Sequence, residues 1–174
     1  GTIIDTSVQA VQGGFLPEAV ITQDFTSVAT APNAAVGGVC ALNQPAMAGW
    51  FSRNNASPSG ATCVFNPTAP APFTAQDGSE SGYAAMNFNS STGSNPISNW
   101  LVSPRVNFGT GAQLSFYFRS ANDADNNFPD RIQVRLSTAA DSGTPDVGTG
   151  VTDVGTFTTL LADINPTLSQ AFVT

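Results

Sequence analysis

Between residues 112 and 119 the sequence AQLSFYFR alternates without a break. Leu114, Phe116 and Phe118 fall on one side of an extended chain, and Gln113, Ser115, Tyr117 and Arg119 on the other. A second run, RIQVRLS at 131–137, sets Ile132, Val134 and Leu136 against Arg131, Gln133 and Arg135. Period two is the signature of a half-buried strand, because successive side chains point to opposite faces of a sheet. Burying each inward Leu or Phe is worth about 1.5–3 kcal/mol, so a one-residue slip that turned the polar set inward would lose most of that. Further strands are predicted at GYAAMNFN (82–89), NWLVSPRVNF (99–108) and TFTTLLADI (156–164). Helical periodicity is weak throughout, and the runs are separated by clusters of Gly, Pro, Asn and Ser. Short strands at this spacing predict an all-β, antiparallel sandwich.

The connections read as loops. Residues 120–130 are rich in Asn and Asp and contain Pro129, which cannot continue a ladder, so this stretch is a rim loop and not a tight hairpin turn. NPTAPAP at 66–72 reads as an extended surface loop, and SGTPDVGTGVTDVG at 142–155 as another. The N-terminal TIIDTSVQAV places Ile4, Thr6, Val8 and Ala10 on one face, before QGGFLP breaks the strand. This divides the chain into an extension strand with a Gly13-Gly14 hinge (1–14) and a body (15–174). Two roles are open to that strand: it folds onto its own body, or it is donated to another chain.

Composition narrows the function. The chain of 174 residues suits one domain, and 41% hydrophobic content is enough for a core. Five basic residues, all Arg, stand against 12 acids, a net charge of −7, which disfavours nucleic acid as a partner. The chain has no His, which removes the usual general base and the commonest transition-metal ligand. GSESG at 78–82 carries Glu80 where a hydrolase would need its nucleophilic Ser. No catalytic residue is assigned, and an enzyme is the least favoured reading. No apolar run reaches the length of a membrane helix. Charged residues are only 10% of the chain, so neutral polar groups must keep the surface wet, a habit of extracellular β-rich proteins. Cys40 and Cys63 are too far apart and too short of partners for a zinc site. A disulfide between them would close a loop of roughly 24 residues, worth about 3 kcal/mol by chain entropy; two buried thiols are the alternative.

NWLVSPRVNFGTGAQLSFYFRS followed by DRIQVRLST, with ITQDFTSV, MAGWFSRNN, SGYAAMNFNSSTGSNPIS and DVGTFTTLLADINPT, resembles the choice-of-anchor J domains of secreted bacterial proteins. These are relatives of the cleaved adhesin domain of surface proteases and of MAM-type modules. The resemblance spans most of 20–168 and implies a jelly-roll β-sandwich, export, attachment at the cell surface or matrix, and no catalysis. It also implies further strands beyond the DINP segment, whereas the sequence stops at Thr174. If the chain ends there, the sandwich would be incomplete, and its open edge could be filled by the strand carrying Ile4, Thr6, Val8 and Ala10 from a neighbouring chain, building a head-to-tail filament. The other explanation is that the remaining strands lie outside this stretch of chain.

The same resemblance implies structural calcium, with Asp24 and Asp123 in the matching positions. Asp123, Asp125 and Asn127 have the first spacings of a calcium loop, but Phe128 and Val134 stand where an EF-hand needs Gly and Glu. Turn-forming Asn and Asp explain that loop equally well. Tyr117 and Arg119, two apart on one strand face, form a candidate platform for a sugar or carboxylate. Asp130 with Arg119, Arg131 and Arg135 could form an exposed ion-pair ladder. Trp50 and Trp100 read as packing residues, and Asn55 and Asn89 lie in glycosylation-type sequons. The leading expectation is a secreted, non-catalytic surface or matrix protein that self-associates; the alternative is an adhesin domain binding a carbohydrate or a host protein.

Overall fold

A computed structural model describes residues 2–10, 19–26, 39–40, 49–64, 67, 70–120, 129–140 and 143–168. Their regular structure is almost wholly extended: β1 Thr2–Ala10, β2 Ala19–Gln23, β3 Val39–Cys40, β4 Phe51–Asn54, β5 Ala84–Met86, β6 Asn99–Val102, β7 Ala112–Arg119, β8 Ile132–Leu136 and β9 Thr159–Ile164. Among the described residues one 3-10 turn covers Phe88–Ser90. Every strand pair is antiparallel. Among the described residues no helix is long and apolar enough to cross a membrane.

The strands form a four-stranded sheet (β2, β1, β5 and β7), a three-stranded sheet in the order β3-β4-β6, and a β8-β9 ribbon. The two alternating runs that announce β7 and β8 therefore belong to different sheets. β7 runs along β1, while β8 pairs with β9.

Local chemistry sets the ends of the shorter strands. β5 stops at Met86 because Asn87 caps the 3-10 turn, its side-chain oxygen accepting from the Asn89 backbone N–H at 3.0 Å. β6 ends at Val102, two residues before Pro104, which has no N–H for a ladder. β9 begins at Thr159 and not at Thr156, because the Thr156 N–H and hydroxyl both donate to the Asp146 carbonyl and hold that residue in the loop.

Two small apolar clusters hold the sheets. Phe25, Val64 and Ala84 are buried together, with Trp50, Met86 and Leu101 packed around them, which joins β5 of the larger sheet to β6 of the three-stranded one. Trp50 meets Phe25 edge-on at 6.0 Å. On the opposite face of β5, Tyr83, Ala75 and Ala85 cluster with Ala71 and Phe73. The end of the proline-rich segment is thus a cover packed onto the sheet, where a free surface loop was expected. Trp100 packs on Phe157 at 5.5 Å, tying β6 to the approach to β9.

A buried polar network supplements this modest core. The Asn54 amide donates to the carbonyls of Thr62 (3.0 Å) and Ser90 (2.7 Å), and its oxygen accepts from the Ala56 N–H at 2.8 Å. Asn55 donates to the Val147 and Gly148 carbonyls, linking the end of β4 to the 146–156 loop. Asn55 is buried and committed to these bonds, whereas Asn89 of the second sequon is exposed.

Candidate functional site

The strand whose role the sequence left open lies in the middle of the four-stranded sheet. Along one edge β1 pairs with β7 over its length, from Ile3 opposite Arg119 to Ala10 opposite Ala112. Its other edge is shared: Thr2, Ile3 and Ile4 face Met86, Ala85 and Ala84 of β5, while Thr6, Ser7, Val8 and Gln9 face Gln23, Thr22, Ile21 and Ala19 of β2, with an irregularity after Val8. Both rows of β1 backbone groups are therefore engaged, and removing the strand would leave unpaired edges on β7, β5 and β2. All three of these partners follow the Gly13-Gly14 connection in sequence.

Register assigns the two faces. Ile4, Thr6, Val8 and Ala10 share a face with Phe118, Phe116, Leu114 and Ala112, and with Ala84, Gln23 and Ile21. This is the grouping the alternation predicts, and in this structure the strand fills a slot in its own chain and not in a neighbour's. Its cover is uneven: Phe116 and Phe118 pack on each other at 5.7 Å and are partly buried, but Leu114 is 41% exposed, where the alternation predicted an inward residue.

The opposite face carries Tyr117 and Arg119, as the spacing requires, but the two differ in environment. The Arg119 guanidinium lies over the Phe73 ring, 4.4 Å from its centre, under the 70–77 cover. Burial raises the pKa of the nearby Tyr83 phenol, against the opposing effects of the Phe73 backbone and the Arg119 charge. Tyr117, beyond the edge of that cover, is 56% exposed. The structure thus separates the expected pair into one covered cation and one open aromatic ring. Phe73, which decides this, carried no sequence signal because it stands in an irregular proline-rich stretch.

The ion-pair ladder also differs from expectation. Arg131 is paired through two nitrogens with Asp163 on β9, not with Asp130, and Gln133 donates to the same carboxylate at 3.2 Å. Arg135 donates to Gln133 at 2.9 Å and to the Phe157 carbonyl at 3.2 Å. Arg119 lies in another sheet and takes no part. The Arg131 hydrogen bonds hold the Asp163 carboxyl below its usual range, with Gln133 adding to the effect.

Asp24 ends β2 in a tight turn. One of its carboxylate oxygens accepts from both the N–H and the hydroxyl of Thr26 at 3.0 Å, next to Phe25, which is fully buried with φ of 57°. Asp123, its expected calcium partner, lies outside the described residues, as do Asp125 and Asn127. Among the described residues no group of three or more His, Cys, Asp or Glu side chains could hold a metal ion. The Asp24 carboxylate is thus engaged by its own turn.

No family model, curated protein or solved structure matches this chain. The functional reading therefore rests on the residues and their geometry. Cys63 is fully buried and disulfide-bonded.

Proposed function

We propose that this chain is a secreted, non-catalytic structural module of the bacterial surface or extracellular matrix, a jelly-roll-like sandwich of the choice-of-anchor J type that self-associates by exchanging β1. The observation that carries this reading is the position of β1 at the centre of the sheet, with every pairing partner on the far side of a glycine-containing connection. Such a strand can leave its own slot and enter the identical slot of a second copy, recovering the same register and hydrogen bonds. Exchange of an identical element is a low-cost route to association, and passing the strand always to the next copy gives an open chain of subunits instead of a closed dimer.

Cysteine usage supports export. Cys40 is the only other cysteine of the sequence, so the bridge of Cys63 is assigned to the pair 40–63. Persistent disulfides belong to oxidising compartments.

Electron microscopy and size-exclusion chromatography of the full chain, beside a variant lacking residues 1–14, test the proposal. Concentration-dependent linear polymers that vanish on truncation are expected. A full chain that stays monomeric at every concentration would overturn it.

A further inference from the structure

We infer that the Asp77–Gly78 peptide is a self-modifying site that rearranges slowly to isoaspartate, with the turn over residues 75–79 as the gate on that reaction. Asp77 is the one Asp or Asn of the sequence that is followed by Gly. The side-chain carboxyl carbon of an aspartate reaches the next backbone nitrogen through a five-membered ring, and a following Gly puts no side chain in the way. Asp77 is exposed, and nothing lies within 4 Å of the place where Gly78 would carry a Cβ. There is room for the ring and for the water that opens it.

The chemistry balances with water alone. The Gly78 nitrogen attacks the Asp77 carboxyl carbon, a C–N bond forms, and the carboxyl OH leaves as water with the proton of the nitrogen. Water then reopens the cyclic imide. Cleavage at the side-chain carbonyl returns aspartate. Cleavage at the backbone carbonyl leaves the chain running through the side-chain carbons, at unchanged mass, with a longer backbone and a displaced carboxylate.

The native turn holds the reactants apart. The Gly78 N–H donates to the Ala75 carbonyl at 3.0 Å, and the Ala75 N–H to the Ser79 carbonyl at 2.8 Å. One Asp77 carboxylate oxygen accepts from the Ser79 N–H at 2.8 Å, which commits it to the residue beyond Gly78. Bonds from Ser79 also hold the Asp77 carboxyl below its usual range, in the ionised form that is the poorer electrophile. The reaction therefore proceeds through the fraction of molecules whose turn has opened, an exposed local event that leaves the sheet folded. The same turn anchors the end of the 70–77 cover. Ala75 is buried with Tyr83 and Ala85, and Phe73 lies 6.3 Å from the Tyr83 ring and under the Arg119 guanidinium. A lengthened backbone cannot close both turn bonds in their present span, so the product keeps the cover open and wets Tyr83. Neither strand exchange nor export enters this chemistry.

The test is incubation of the full chain at neutral pH and body temperature for several weeks in water enriched in heavy oxygen, then peptide mapping with fragmentation that separates aspartate from isoaspartate. Isoaspartate carrying a solvent oxygen should accumulate at position 77, about tenfold or more slower in the native protein than in urea, where the turn is gone. In the modified fraction the Tyr83 phenol should titrate closer to its ordinary value than in fresh protein. Asp77→Glu keeps the charge but needs a six-membered ring, so this variant, folded by circular dichroism, should keep its Tyr83 titration through the same incubation. Absence of isoaspartate at position 77 in the native protein, equal rates in native protein and in urea, or a Tyr83 titration that moves no further in the wild type than in Asp77→Glu would overturn the proposal.

Discussion

The side-chain amide of Asn54 donates to the carbonyl of Ser90 at 2.7 Å, joining residues 36 apart in sequence. Asn54 also binds Thr62 and Ala56, and it is 3% exposed. Replacing it with Ala removes three hydrogen bonds from a buried site and leaves backbone groups without partners, at about 1–3 kcal/mol each where nothing substitutes. Ser90 keeps a bond from the Gly60 N–H. A net loss of about 3 kcal/mol is therefore expected for Asn54→Ala, read as a lower urea midpoint at unchanged slope. Asn54→Asp should be worse, since it places an acceptor-only group against two carbonyls.

Acid should loosen the β8-β9 ribbon. Hydrogen bonding from Arg131 lowers the Asp163 carboxyl, and backbone N–H groups do the same for Asp153 and, with the Ser79 side chain, for Asp77. A carboxyl depressed in the folded state contributes stability above its unfolded value, about 3.9, and loses it as pH falls through the lower folded value. The thermal midpoint should therefore hold between about pH 7 and 5 and fall below about pH 4. Asp163→Asn should make that fall shallower. Asp77 and Asp153 are exposed and Asp163 is only half-buried, so the effect is modest.

Sequence reasoning reached β1 and β5 to β9 and missed β2, β3 and β4 for a physical reason. β7 is legible from Ala112 to Arg119 because eight alternating residues leave little choice of face. AVITQ and FSRN, which form β2 and β4, show no apolar-polar alternation of their own and are fixed by their neighbours. The candidate site divides in the same way. The two faces of β1 and the shared side of Tyr117 and Arg119 follow from parity alone. Phe73 over Arg119, and Asp163 in place of Asp130 as the partner of Arg131, depend on which strands meet, which no local pattern encodes.

Phe73→Ala should uncover Arg119 and Tyr83 together. Losing the cation–π contact and part of a small apolar cluster should cost about 1–3 kcal/mol. The distinctive readout is spectroscopic. Burial is the main cause of the raised Tyr83 pKa, so ultraviolet titration should show a phenol moving down toward its ordinary value.

Cys63→Ser opens the loop assigned to the 40–63 bridge and should lower stability by about 3 kcal/mol. Reducing agent should lower the wild-type midpoint by a similar amount and leave the variant unmoved. Equal sensitivity of both proteins to reductant would remove the bridge from the account.

Ser7 and Ser115 stand directly opposite each other in the β1–β7 register. Opposed residues of an antiparallel pair have Cα atoms about 4.5–5.5 Å apart, within the span of a disulfide. Mixing one chain carrying Ser7→Cys with another carrying Ser115→Cys, under mild oxidation, asks directly whose β1 fills the slot. Strand exchange predicts a covalent mixed dimer, and for the double variant at high concentration a ladder of linked subunits on a non-reducing gel. A double variant that only ever closes on itself, with no mixed dimer from the single variants, would contradict it.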